Sequence, residues 1–357
     1  MGRLQRPGPG TRRGRFGRGP GLRALALAAA ALAALMLAAG VGSVPVSPAD
    51  IARVLAHRLL GTPLPADFSP ILEGLVLNIR LPRAALAFGV GAAAAVGGTV
   101  MQSVLKNPLA SPYGLGVSSG AGLAAALMIV SGLAGGALGS LALPAAALAG
   151  GLAAAGAAMA LAGRLDRGLS NNTIILTGMV LSLFLNALMS TLSAANPEYS
   201  QRILLWQLGS FSGRGWDAAA IVWAVTAVCT AAFWAMGRAL DVMTFGEEQA
   251  LSMGLELRRT KAVLIVLVAA LTGTAVAFAG VIGFVDLIAP HVVRRFFGAR
   301  HRVVLPMAAL LGGGFMALCD LAGRTLASPS EIPVGSITAL IGAPFFIYVY
   351  FAGRKRG

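Results

Sequence analysis

Long uncharged stretches constrain this chain more than any other feature of its sequence. No charged residue lies between Lys106 and Arg164. A helix needs about 20 apolar residues to cross a bilayer, so this stretch has room for two spans, and the glycine-rich segment 131–140 predicts the break between them. Only 11% of the residues are charged, against about 25% in soluble domains. The composition predicts an all-α polytopic membrane protein and excludes a soluble enzyme, a disordered chain and a disulfide-rich scaffold.

The apolar segments predict about ten transmembrane helices. They are 23–43, 82–105, one helix on each side of the break at 131–140, 171–194, 217–237, 261–280, 284–297, 303–322 and 333–352. Segment 284–297 is the weakest prediction, because it is short and contains Asp286 and His291. An even number of spans places both termini on the same side of the membrane.

Basic residues are concentrated at the two ends of the chain, which has a net charge of +15. Seven arginines lie within the first 23 residues, and Arg354, Lys355 and Arg356 follow the last span. Basic flanks beside apolar spans are typical of cytoplasmic segments, so we expect membrane contact and no nucleic-acid binding. We predict a disordered basic cytoplasmic head over 1–22, a transmembrane domain over 23–352 and a basic cytoplasmic tail over 353–357.

Arginines on the predicted outer face break this charge rule. Pro82 suits the first turn of a helix, because its missing N–H is not needed there, and Arg80 and Arg83 lie on either side of it. These arginines either extend to lipid headgroups or bind an acidic partner, and the pattern leaves both interpretations open. Further along, Asp320 and Arg324 are four residues apart, which predicts an ion pair near the outer membrane edge.

A long cytoplasmic segment, 241–258, has the pattern of a short helix between two glycines. Acidic side chains are stabilised at a helix N-terminus, and a glycine can end a helix. The residues that fit this pattern are Gly246, Glu247, Glu248, Leu251 and Gly254. The segment is either a plain connection or a knob that fits a groove on a partner.

Other motifs predict turns and helix starts. Asn107 and Pro108 begin a turn. Pro290, His291 and Arg294 fall in the weak segment. Glu331 precedes the last span, and Pro333 opens it. No second histidine, cysteine or carboxylate stands at metal-ligand spacing from His291, so we predict a structural hydrogen bond there and no metal site.

The chain has no sequence that could bind and hydrolyse ATP. Its only lysines are Lys106, Lys261 and Lys355, and none has the glycine before it and the serine or threonine after it that a P-loop requires. No Ser/His/Asp, HExxH or paired-carboxylate arrangement is present either. The chain is therefore predicted not to be an enzyme, and the energy for any transport must come from another chain or from an ion gradient.

The motifs, taken in order, resemble one family. They lie at 80–83, 102–116, 178–186, 206–210, 246–254, 280–306 and 331–346. This ordered set resembles the FecCD-type permeases of ABC transporters, which import iron–siderophore complexes, haem and cobalamin. The resemblance implies a type II importer permease of ten helices in the bacterial cytoplasmic membrane. It also implies a second permease subunit, two cytoplasmic ATPase subunits that use ATP and magnesium, and an external substrate-binding protein.

The resemblance also implies roles for individual residues. Arg80, Arg83 and Arg324 match the arginines that receive carboxylates of the binding protein, and the segment from Gly246 to Gly254 matches the one that enters a cleft of the ATPase. The chain itself is expected to bind no cofactor. It departs from the family at Asp286, where glycine is more usual, and a carboxylate there is costly unless it is paired or hydrated.

Several alternatives stay open. An ion-coupled secondary transporter would need a proton or sodium relay, for which Asp286 and Asp320 are the candidates. An intramembrane enzyme is the weaker alternative. Within the importer interpretation we expect a ferric siderophore as cargo, with haem and cobalamin as alternatives. The sequence does not distinguish a homodimer from a pair of paralogous subunits.

Overall fold

The computed structural model describes residues 19–42, 44–65, 68–133 and 139–354. Within these ranges every regular element is helical. The α-helices are α1 (Pro20–Gly40), α2 (Pro48–Leu60), α3 (Pro70–Leu75), α4 (Leu81–Val104), α5 (Val117–Val130), α6 (Ala142–Leu165), α7 (Asn171–Ala195), α8 (Pro197–Leu208), α9 (Trp216–Ala235), α10 (Gly237–Met243), α11 (Glu247–Ser252), α12 (Leu257–Ala279), α13 (Val285–Phe297), α14 (His301–Thr325) and α15 (Val334–Arg354). Residues 1–18 of the predicted head and residues 355–357 of the predicted tail lie outside the described residues.

All ten predicted spans are helical, which confirms the all-α polytopic fold. In the described part of the chain, seven helices are long and apolar enough to cross a membrane: α1, α4 with the turns before it, α6, α7, α9, α12 and α14. Helix α5 and the part of α15 from Val334 to Tyr348 are shorter apolar stretches. The tenth, α13, has 13 residues and is therefore about 20 Å long. The hydrocarbon core is about 30 Å thick, so the chain crosses it here through α13 together with the non-helical segment 280–284 before it, and α14 starts again at the end where α12 started.

Helix α4 forms the centre of the bundle. Nearly all of its side chains are buried, and it packs against α14, α9, α13 and α12. Small residues let the backbones approach closely in a membrane. A Cβ atom at Gly312 of α14 would lie 2.5 Å from the carbonyl oxygen of Gly91 in α4, so this crossing requires glycine.

The chain leaves helical geometry between α12 and α13. Gly280 and Phe284 both have left-handed backbone angles (φ 78° and 70°), a conformation that is uncommon for a bulky residue. The Phe284 ring fills the space that a side chain at Gly342 of α15 would occupy. The backbone of Asp286 then lies so close to Gly98 of α4 that any larger residue at 98 would overlap with it. As a result, α13 begins buried against α4.

Short helices complete the fold outside the predicted spans. Helix α2 is capped by the Ser47 hydroxyl, which accepts a hydrogen bond from the Asp50 amide (3.1 Å), and it ends at Gly61 in the left-handed conformation. Such capping residues stabilise helix ends. None of these short helices has an apolar stretch long enough to cross a bilayer, and only α11 is indicated by the sequence, through its flanking glycines and its acidic first turn.

Candidate sites at the two ends of the bundle

Polar side chains cluster at the two ends of the bundle. The Arg80 end is where α1 and α14 finish and α4 begins. The Lys106 end is where α4 finishes and where α10 and α11 connect α9 to α12. The predicted docking arginines lie at the Arg80 end, and the segment 241–258 lies at the Lys106 end.

Arg80 binds the end of another helix. It is the last residue of a π-helical turn (Val76–Arg80) before α4, and only 5% of its surface is exposed. Its Nη1 donates to the carbonyl oxygen of Gly40 (2.7 Å), and its Nη2 donates to that of Val44. The last carbonyls of a helix lack partners and carry partial negative charge, so Arg80 caps the C-terminus of α1.

Arg83 joins α4 to α14 and to the segment that precedes α15. Its Nε and Nη2 donate to the carboxylate of Asp320 (3.1 and 2.9 Å), which is almost fully buried. Its Nη1 donates to Glu331 (2.8 Å). This hydrogen bond lowers the pKa of Glu331 below its ordinary value, and the positive charge of Arg83 adds to the effect. The pairing offsets the high cost of burying the Asp320 carboxylate.

Arg324 completes this cluster. Its Nε lies 3.6 Å from Asp320, so the predicted ion pair one helical turn apart is formed. Its Nη2 also donates to the carbonyl oxygen of Ala38 near the end of α1. The structure thus brings Arg80, Arg83 and Arg324 together, and each of them has acceptors within the chain. Their docking role stays a prediction.

The partners of Arg83 cannot be predicted from the sequence. Asp320 and Glu331 are 237 and 248 residues away from Arg83 along the chain. No local spacing reports a contact of this range, whereas the i,i+4 spacing of Asp320 and Arg324 does. Glu331 is predicted only as part of a turn motif, yet its carboxylate is half-exposed and paired.

At the Lys106 end, α11 has the predicted bounds of a short helix. Gly246 precedes it at φ 124° and Gly254 follows it at φ 79°, angles that favour glycine. Glu247 and Glu248 lie in its first turn. The segment exposes apolar side chains that it would bury in a protein contact: Phe245, Leu251 and Met253.

Lys261 fastens α11 to the start of α7. Its side chain is only 1% exposed. Its ammonium group donates to Glu247 Oε1 of α11 (2.8 Å), to the Leu169 carbonyl oxygen (2.9 Å) and to Asn171 Oδ1 of α7 (2.9 Å). Three acceptors match the three donors of an ammonium group. In the sequence Lys261 stands out only as a lysine outside a P-loop, and no local spacing indicates this contact.

A histidine network fastens α10 to α4 and α14. His301 Nδ1 donates to Asp241 Oδ1 of α10 (2.6 Å), and its Nε2 lies 2.6 Å from Ser103 Oγ of α4. Arg294 of α13 adds a bond to Gln102 Oε1 (2.5 Å). The bridging histidine is therefore His301. His291, for which the sequence predicts a structural hydrogen bond, is exposed and has no hydrogen-bond partner among the described residues.

The remaining motif residues lie near these contacts. Asn107 Oδ1 accepts from the Leu109 amide (2.9 Å) and forms the predicted turn with Pro108. Pro333 lies directly before α15, and Pro290 is buried inside α13. Among the described residues no group of three potential metal ligands occurs.

Asp286 is buried in the first turn of α13. Its carboxylate accepts a hydrogen bond from Ser111 Oγ, and the partial positive charge of the helix N-terminus lies beside it. These contacts offset part of the cost of a carboxylate within the membrane.

Comparisons with known proteins agree on one family. The model of the FecCD transport family matches residues 30–352. The Fe(3+)-citrate import system permease protein YfmE of Bacillus subtilis is 33% identical over 342 residues, 94% of this chain and 97% of that protein. The cobalamin import system permease protein BtuC of Halobacterium salinarum is 36% identical over 334 residues, 92% of this chain and 88% of that protein.

A solved structure has the same fold. It represents an inward-facing conformation of a transporter assigned to the metal-chelate type of ABC transporters. It superposes with a TM-score of 0.79 at 29% identity and covers 92% of this chain and 99% of its own chain.

Proposed function

Because the chain belongs to the FecCD transport family, we propose that it is the membrane-spanning permease subunit of an ATP-driven importer for a ferric siderophore. The observation that carries the proposal is the α11 segment. It is a short helix between two glycines with exposed apolar side chains, and the buried Lys261–Glu247 contact links it to the spans. The iron–citrate relative supports an iron chelate as cargo, whereas the cobalamin relative keeps cobalamin as an alternative. Haem is the third candidate.

The Lys106 end faces the cytoplasm in this proposal. Most basic residues of the chain flank spans at this end, and positive charge is retained on the cytoplasmic side. Because the number of spans is even, both termini are then cytoplasmic and the Arg80 end faces the outside.

An ATPase subunit would receive the α11 segment. Glu247, Glu248 and Leu251 form the contact, and Gly246 and Gly254 set its bounds. When ATP binding moves α11, Lys261 transmits the displacement to α7, and the Asp241–His301 contact transmits it to α4 and α14. Rigid helices with two packing arrangements carry such motions.

The binding protein would dock on the Arg80 end. Its carboxylates compete with Glu331 for Arg83, because Glu331 is half-exposed and can move into water. Arg80 is buried, so its contribution is to hold α1 in place beneath the docking surface.

A second permease subunit, identical or paralogous, would face α7. Residues spaced three and four apart lie on one side of a helix, and on α7 an exposed side of this kind combines apolar and polar side chains: Met179, Leu183, Asn186 and Ser190. Between two subunits, this side would line a path for a polar cargo.

The cargo is tested with the cognate binding protein and the complete transporter in vesicles. We expect the binding protein to bind a ferric siderophore more tightly than haem or cobalamin, and the same compound to be taken up when ATP is supplied. Tighter binding of cobalamin or haem would reassign the cargo. Uptake that survives without the ATPase and stops with an uncoupler would support an ion-coupled transporter.

A further inference from the structure

A groove at the Lys106 end lies between the last turns of α6 and the first turn of α12. It has a volume of about 810 Å³, within the range of small-molecule sites. Its apolar wall is built from Met159, Ala160, Gly163, Leu169 and Ala262, and its charged rim from Arg164, Glu256, Arg258 and Arg259. The small residues Ala160, Gly163 and Ala262 leave the space between the two helices open.

The rim has more positive charge than the chain neutralises. Arg164 and Arg258 have no acidic partner within 4 Å among the described residues. Arg259 lies 3.7 Å from Glu256, but these side chains are 82% and 74% exposed, and such a pair contributes little.

Asp166, two residues after Arg164 in the chain, forms its hydrogen bonds within its own loop. Asp166 accepts hydrogen bonds from the amides of Gly168 (2.8 Å) and Ser170 (2.9 Å). The Ser170 side chain, together with these two amide bonds, lowers the pKa of Asp166 to about 2. The groove therefore differs from the Arg80 end, where Asp320 and Glu331 pair with Arg83.

We propose that this groove binds one anionic phospholipid from the membrane leaflet at the Lys106 end. Arginine guanidinium groups form paired hydrogen bonds with phosphate oxygens, and basic pockets between transmembrane helices bind anionic headgroups. The acyl chains lie along Met159, Ala160 and Ala262, which belong to the spans α6 and α12. The apolar wall favours a lipid over free phosphate, because a free anion gains nothing from apolar contact.

The assay is native mass spectrometry of the complete transporter, purified from vesicles that contain phosphatidylglycerol and phosphatidylcholine. The test variant is Arg164→Gln/Arg258→Gln/Arg259→Gln. The control is Arg238→Gln/Arg295→Gln/Arg300→Gln, which removes the same charge from exposed arginines at the same end but outside the groove. We expect phosphatidylglycerol to stay bound to the wild type and the control. The test variant binds it at least about tenfold more weakly, because each arginine near an anionic surface contributes substantially to binding.

Three outcomes would overturn the proposal. The test variant and the control retain the same amount of phosphatidylglycerol; or inorganic phosphate at millimolar concentration displaces the bound species as readily as added lipid does; or the test variant loses the ATPase subunit while its lipid content is unchanged. The last result would assign the rim to a protein contact. Lipid occupancy is measured without cargo or ATP, so a failure of this proposal is distinguishable from a failure of the proposed import function.

Discussion

Buried cations serve different purposes at the two ends of the bundle. At the Arg80 end, Arg83 and Arg324 share Asp320, and Arg80 caps α1. At the Lys106 end, Lys261 reaches from α12 to α7 and to α11, whose outer side is exposed. The first arrangement holds the ends of α1, α4 and α14 in one position. The second connects a surface segment to a span. The difference indicates that a partner at the Arg80 end must displace an internal contact, that of Glu331 with Arg83. A partner at the Lys106 end can move α11 while the internal contact of Glu247 with Lys261 stays intact.

Removal of the charge at the centre of the Arg80 end should have the largest effect. Asp320→Asn removes the negative charge that compensates the buried guanidinium groups of Arg83 and Arg324. Loss of one partner of a buried ion pair lowers the free energy of unfolding by about 3 kcal/mol or more. We expect a clearly lower melting temperature in detergent. Asp50→Asn is the matched control, because Asp50 pairs at the same end with Arg53 (3.0 Å), whose side chain is 57% exposed, and such a pair is worth under about 1 kcal/mol. Equal effects of the two variants would contradict the assignment of Asp320 as the centre of the cluster.

Charge reversal tests the docking surface. Arg83→Glu with Arg324→Glu should weaken docking of the binding protein by about a hundredfold, since like charges across an interface cost several kcal/mol. Pull-down or surface binding measures the affinity. Arg53→Glu, an exposed arginine at the same end, serves as the control. Arg80→Glu should lower stability more than affinity, because Arg80 is buried. If all three arginines, 80, 83 and 324, are replaced by glutamate and the affinity stays unchanged, docking through these arginines is rejected.

Lys261→Met tests the connection at the Lys106 end. The variant loses three hydrogen bonds from a charged donor, each worth about 1.5–3 kcal/mol, although Glu247 regains water. We expect about tenfold less cargo moved per ATP hydrolysed. Lys106→Met is the control, because among the described residues the Lys106 ammonium group donates to one acceptor, the Phe245 carbonyl oxygen (3.3 Å). A proportional loss of cargo transport and ATP hydrolysis in Lys261→Met would indicate a structural role alone.

Glu331→Gln should have the smallest effect, and in the opposite direction. It releases Arg83 from an exposed competitor, so docking affinity should rise about threefold, in line with the small energy of exposed pairs. Affinity that falls would contradict competition between Glu331 and the binding protein.

Glu331 also makes the stability of the folded chain depend on pH. Arg83 lowers the pKa of Glu331 in the folded chain. The stabilisation that the Arg83–Glu331 contact contributes is therefore fully present above the pKa of an unfolded glutamate, about 4.3. It is lost as the pH falls through the folded pKa. Thermal melts should therefore show a smaller loss of stability on acidification in Glu331→Gln than in the wild type.

The sequence predicts the spans well because about 20 apolar residues have few alternatives in a membrane protein. It also predicts the Asp320–Arg324 pair and the bounds of α11, which depend on spacings of a few residues. It does not predict the contacts of Arg83 with Asp320 or of Lys261 with Leu169, because these contacts arise from the packing of distant helices. The prediction for His291 fails for the same reason. Its position after a proline favours a structural hydrogen bond, but helix packing places His301, and not His291, beside buried polar partners.

The central claim is that a nucleotide-hydrolysing partner drives this chain through α11. The most direct measurement is uptake of a ferric siderophore by vesicles that contain the purified chain, with and without the ATPase subunit, in the presence of the loaded binding protein and internal ATP. We expect accumulation against a gradient only when the ATPase is present. Accumulation by the chain without the ATPase would contradict the claim.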